Sequence, residues 1–130
     1  DVAASFKPGD HATTFGGQPL AASAALATLE IMKSIDAPSL ANTVGDALRD
    51  KLMAVNGIVS TRGRGMLIAA EVDPAVLDGR TAGEVANTCL HAGLILNGVT
   101  PTALRIAPPL TITFAEIEQG IAVLDSVLNR

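Results

Sequence analysis

A chain of 130 residues can bury one core and not two, and 48% hydrophobic against 17% charged residues excludes a disordered tract. The apolar runs are too short and interrupted for a membrane span, so a soluble protein is expected. A formal charge of −4, nine scattered Lys and Arg, and only Phe6, Phe15 and Phe114 as aromatics argue against a nucleic-acid surface. Cys89 is the single cysteine, so no internal disulfide or thiolate zinc cluster can form, and a reducing cytoplasm is the expected compartment. The opening Asp1-Val2-Ala3-Ala4-Ser5, without Met or a leader-like pattern, is expected to be an internal cut in a longer protein.

Residues 1–17 carry Pro8, Gly9, Gly16 and Gly17 among Thr and His and read as an irregular lead-in. From about Gln18 to Ser34 the pattern is helical, with Pro19 in the first turn and a run of small apolar residues. A helix apolar on all sides is expected to be covered on several of them, hence to run between two packed bodies. A second helix over about Pro38–Val55 places Leu40, Val44, Leu48, Leu52 and Val55 on one stripe. Ile58–Thr61 and Met66–Val72 read as strands joined through Arg62-Gly63-Arg64-Gly65, followed by a loop at Asp73–Gly79. Thr81 and Glu84 have capping-box spacing and open a helix with Ala82, Val85, Ala86, Cys89 and Leu90 inward. Leu94-Ile95-Leu96 and Leu104-Arg105-Ile106 are expected strands, with Asn97-Gly98 beginning the turn between them. Thr113 and Glu116 repeat the capping box before a last helix with Phe114, Ile117, Ile121, Leu124 and Leu128 on one side. This order predicts an α+β fold, a small and mostly antiparallel sheet covered by helices on one face.

Two places could carry chemistry. His11-Ala12-Thr13-Thr14-Phe15-Gly16-Gly17 runs into the amino end of the first helix, and hydroxyls, glycine amides and a helix terminus together suit a phosphate. On local sequence alone the same residues read first as a Thr-rich helix cap with glycines for the bend. Arg105 lies between apolar strand residues, so its guanidinium must reach the rim, join an ion pair inside the domain, or receive an external carboxylate. Local sequence leaves these open. Gly63-Arg64-Gly65 lacks the third glycine of a dinucleotide loop, His11 and His91 are too far apart for a metal pair, and Cys89 suits a core better than a nucleophile. Asn97 is a turn residue first and a substrate-contacting rim second.

Pro8-Gly9-Asp10-His11-Ala12-Thr13-Thr14-Phe15-Gly16-Gly17-Gln18-Pro19-Leu20 closely resembles a segment of the class III aminotransferases. Arg62–Leu67, Gly93–Asn97 and Leu104–Leu110 resemble later segments of that family in the same order, across nearly the whole chain. The subgroup they look most like is the acetylornithine one, with ornithine, succinylornithine and 4-aminobutyrate enzymes as relatives.

The resemblance implies a fold-type I enzyme whose large domain binds pyridoxal 5'-phosphate and whose small carboxy-terminal domain is this chain. It divides the chain into a cofactor-phosphate loop and lead-in at 1–17, an interdomain helix at 18–35 and the small domain at 36–130. It implies a homodimer in which the hydroxyls matching Thr13 and Thr14 reach the cofactor phosphate of the other subunit. Thr14 matches the family threonine; Thr13 stands where serine is usual, Ala12 where glycine is, and Gln18 where asparagine is. Arg105 matches the family arginine at the substrate site, which pairs with a substrate carboxylate or an active-site glutamate depending on the ligand; Asn97 stays a weaker candidate for substrate contact. The family's catalytic lysine belongs to the large domain, and Lys7, Lys33 and Lys51 stand in no matching context. The implied activity is amino transfer from an amino acid, N-acetylornithine, to 2-oxoglutarate in arginine biosynthesis, with the chain alone inactive and not retaining the cofactor. The alternatives are another class III donor or a non-catalytic binding module of the same fold.

Overall fold

The computed structural model describes residues 2–129; Asp1, where the expected internal cut begins, and Arg130, the last residue of the expected small domain, lie outside the described residues. The chain forms two compact units, residues 1–36 and residues 37–130.

In the first unit, a short 3-10 turn at Val2–Ser5 and an irregular stretch lead into α1, Pro19–Ser34. Pro19 occupies the first turn, where its missing N–H costs nothing, and alanines carry the helix onward. No residue of α1 is buried within the chain: Leu20, Leu26, Leu29 and Ile31 are all exposed. Within this first unit the described residues leave the apolar surface of α1 uncovered.

The second unit begins with α2, Ala37–Met53, and its apolar stripe turns inward, with Val44, Leu48 and Leu52 buried. Then follow β1, Ile58–Arg64, and β2, Leu67–Val72. A short helix, α3, Pro74–Leu77, lies inside the segment expected as loop, because Asp73 caps it by accepting the Ala75 N–H at 2.9 Å. α4, Ala82–His91, and α5, Phe114–Leu128, both open with the predicted capping boxes, Thr81 with Glu84 and Thr113 with Glu116. Between them lie β3, Asn97–Gly98, and β4, Ala103–Ile106.

The strands form one antiparallel sheet in the order β1-β2-β4-β3. In β2 the alternation is complete: Ile68, Ala70 and Val72 are buried on one face while Leu67 is 61% exposed on the other. The buried face meets Val44, Leu48 and Leu52 of α2, Val85 and Cys89 of α4, and Ile117, Leu124 and Val127 of α5 in one core. Each large aliphatic side chain buried there contributes about 1.5–3 kcal/mol. The fold is α+β with helices on one face of an antiparallel sheet, as the element order predicts. α2 approaches the β1–β2 turn so closely that a Cβ on Gly45 would lie 2.1 Å from the Gly65 carbonyl oxygen.

Three local expectations are corrected. Arg62-Gly63-Arg64 is not a connection but the end of β1, since Gly65 at φ 53 turns the chain in two residues and pairs Arg64 with Leu67. Leu94–Leu96 is not a strand. Leu94 and Leu96 pack on the core, the Leu94 N–H donates to the Cys89 carbonyl at 2.8 Å, and the ladder falls to Asn97 and Gly98. Phe114 does not face inward; it is 53% exposed in the first turn of α5, while Ile117, Leu124 and Leu128 carry the buried stripe.

Candidate functional site

β4 presents its central side chain away from the helices. Leu104 and Ile106 enter the core, so alternation turns Arg105 onto the open face of the sheet, where it is exposed. Its cross-strand neighbours are Ala69 on β2 and Asn97 on β3. Ala69 is small and leaves room above the strand. Asn97 reaches across: Arg105 Nη2 donates to Asn97 Oδ1 at 3.1 Å. Among the described residues the Arg105 guanidinium meets no carboxylate, so the ion pair inside the domain, one of its possible roles, is not formed.

The row continues to the far edge, where Arg62 pairs with Ala69 from the other side. This second guanidinium is engaged, donating from Nη1 to Glu71 Oε2 at 2.7 Å, while the Thr102 hydroxyl donates to Glu71 Oε1. The Arg62 guanidinium, and next the Thr102 hydroxyl, hold the Glu71 carboxyl below the ordinary carboxylate range. Sequence reasoning reads Arg62 only as part of a strand connection and a family-like segment, and misses Glu71 and Thr102 as its partners on this face. The usable signal was the two-residue turn at Gly65, which by period-2 counting sets Arg62 and Glu71 on one face.

The residues before α1 form a separate local arrangement. Thr13 Oγ1 accepts the Gly16 N–H at 3.1 Å, and the Thr14 carbonyl accepts from Gln18 Nε2 at 3.2 Å. A Cβ on Gly16 would lie 2.3 Å from Thr13 Cγ2, so a larger residue there would displace the Thr13 side chain. Neither threonine caps the helix: the N-cap is Gln18, with no side-chain cap bond, so the reading of a Thr-rich cap does not hold. The Thr14 hydroxyl makes no hydrogen bond among the described residues. A short turn thus presents hydroxyls ahead of a helix end whose first-turn amides lack a side-chain acceptor. The structure places Thr13 and Thr14 in residues 1–36, and Arg105 with Asn97 in residues 37–130.

No helix among the described residues is long and apolar enough to cross a membrane. Residues 1–128 match the family model for aminotransferase class-III. The chain is 44% identical over 128 residues to an acetylornithine aminotransferase of Bifidobacterium longum, covering 97% of this chain and 28% of that protein. It superposes on the crystal structure of acetylornithine aminotransferase from Elizabethkingia anophelis with a TM-score of 0.78 at 27% identity, over 95% of this chain and 33% of the other. An ornithine aminotransferase of Toxoplasma gondii, with PLP at partial occupancy in its active site, matches at a TM-score of 0.71 and 31% identity, over 94% of this chain and 29% of that one. The chain thus spans about a third or less of the length of these relatives. Such matches cover nearly every residue, follow one fold and agree on one chemistry, so the chain belongs to the class-III aminotransferase family.

Proposed function

We propose that this chain is the small carboxy-terminal domain of a homodimeric aminotransferase that moves an amino group from N-acetylornithine to 2-oxoglutarate. The observation that carries the reading is Arg105, a cation on an open sheet face with no carboxylate of its own among the described residues. A guanidinium offers donors in a fork that matches a carboxylate, and both the donor and the acceptor of this reaction carry one. Arg105 binds and orients substrate by that group, with Asn97 beside it.

The residues before α1 fit a cofactor phosphate. Thr14 brings a hydroxyl without another partner among the described residues, Thr13 a hydroxyl that keeps its proton to donate, and the first turn of α1 its amide dipoles. In this reading Thr13 and Thr14 hold the phosphate of pyridoxal 5'-phosphate bound to the other subunit. When bound, that group supplies the electron sink that amino transfer requires. The lysine that carries it lies in the large domain, so the 130-residue chain alone neither retains the cofactor nor turns over. Residues 1–17 are then the phosphate loop, 18–35 the interdomain helix whose open apolar surface the large domain covers, and 36–130 the small domain. The setting is cytoplasmic arginine biosynthesis.

N-acetylornithine is preferred as donor because of the 44% identity to an acetylornithine enzyme; ornithine is the second reading, favoured by 33% identity over 134 residues to the ornithine aminotransferase of Saccharomyces cerevisiae. Steady-state assay of the full-length protein with N-acetylornithine, ornithine and 4-aminobutyrate as rival donors to 2-oxoglutarate decides between them. The highest kcat/KM should belong to N-acetylornithine, and a preference for ornithine would install the second reading. Absence of amino transfer with every donor would leave a binding module of this fold.

A further inference from the structure

An arginine on an open sheet face has many rotamers, and a receptor that must order its own side chain on binding loses affinity to that ordering. Arg105 is restrained beforehand by one hydrogen bond, from Nη2 to Asn97 Oδ1 at 3.1 Å. We infer that Asn97 is a positioning residue, whose neutral carbonyl holds the Arg105 guanidinium in its receiving orientation while leaving its charge for a substrate carboxylate. The inference rests on Arg105 being the carboxylate receptor.

Asn97 can do this because β3 is pinned. Its two residues pair with Arg105 and Leu104 of β4. Gly98 lies so close to the start of α4 that a Cβ there would stand 2.4 Å from the Gly83 nitrogen and 2.7 Å from the Ala82 carbonyl carbon. The connection onward is tied as well: the Val99 N–H donates to the Ala103 carbonyl at 2.9 Å, and the Ala82 N–H to the Pro101 carbonyl at 2.7 Å. A strand held against α4 and β4 together delivers the Asn97 side chain to a fixed place.

The neutrality of the acceptor matters as much as its position. On the same face Arg62 is held by the Glu71 carboxylate at 2.7 Å, an ion pair that already answers its charge. An amide oxygen restrains a guanidinium without answering it. Among the described residues one of the five N–H donors of Arg105 is occupied, and the others remain for a two-pronged contact. An aspartate at 97 would restrain equally well and compete with the incoming carboxylate.

The test is competitive inhibition of the full-length holoenzyme by glutarate, an unreactive dicarboxylate, against 2-oxoglutarate, with kcat and Tm measured on each variant. Asn97→Ala should raise the inhibition constant about three- to tenfold, the loss of one pre-ordered side chain. Asn97→Asp, nearly isosteric and keeping the acceptor, should raise it by at least about tenfold with Tm unchanged, an effect that a merely structural role would not produce. Arg105→Gln should raise it most. If Arg105→Gln weakens glutarate while both Asn97 variants bind it as the parent does, the positioning role is overturned and the receptor role of Arg105 stands. Unchanged binding in Arg105→Gln would overturn the receptor reading, and this inference with it.

Discussion

Replacing Arg105 by lysine separates the substrate role of this residue from a scaffolding one. The substitution keeps the positive charge but loses the fork and the geometry that meets Asn97 Oδ1 at 3.1 Å. In a closed active site the loss of a two-pronged, charge-assisted contact costs about 2–4 kcal/mol of transition-state stabilisation, about a thirtyfold to thousandfold fall in kcat/KM. The stability cost should be small for a structural reason. Arg105 is exposed, its strand neighbours Leu104 and Ile106 hold β4 in the core, and no ion pair with a described residue is broken. A surface change of that kind stays within about 0.5 kcal/mol. Steady-state kinetics of the full-length enzyme with 2-oxoglutarate and thermal unfolding of the same variant measure the two quantities together. A lowered Tm beside unimpaired kcat/KM would refute the reasoning and make Arg105 a structural residue.

Thr14→Ala should weaken retention of the cofactor by the full-length enzyme about tenfold to hundredfold, equal to one charge-assisted bond of about 1.5–3 kcal/mol, as measured by equilibrium dialysis. Retention equal to that of the parent would remove Thr14 from the phosphate site. Gly45→Ala places a methyl against the Gly65 carbonyl and must push α2 from the β1–β2 turn, so chemical denaturation should show a loss of about 1–3 kcal/mol. Stability should also fall in acid. Glu71 is held below its ordinary 4.5 by Arg62 and then Thr102, Glu84 by the backbone and hydroxyl of Thr81, and Glu116 by those of Thr113. Groups with depressed folded values contribute fully above the unfolded value and lose that contribution as pH falls through the folded one. Tm should therefore be level above about pH 5 and decline below about pH 4.5, and Glu71→Gln should flatten part of that decline; an unaltered acid limb in Glu71→Gln would dismiss the ion pair as its source.

Much of this architecture is a local matter and stands in the residues themselves. Both capping boxes need only a Thr and a Glu three positions on, and the core stripe of α2 needs only its 3.6-residue spacing. Arg105 was visible as a charge flanked by Leu104 and Ile106, and the segments around Thr13, Thr14 and Arg105 carried the family resemblance. Tertiary structure decided what depends on partners distant in sequence. The apolar run Leu94–Leu96 fits a strand by composition, yet packing of Leu94 and Leu96 on the core moves the ladder to Asn97 and Gly98. Phe114 shares a helical stripe by spacing, yet in the first turn of α5 it stays exposed while Ile117, Leu124 and Leu128 are buried. Spacing alone could not say which acceptor Arg105 would meet, because a register set by the Gly98 contact with α4 brings Asn97 opposite it, eight positions away in the chain. A cross-strand pair is fixed by which faces are buried and how closely elements approach, and those quantities exist only once the whole sheet has assembled.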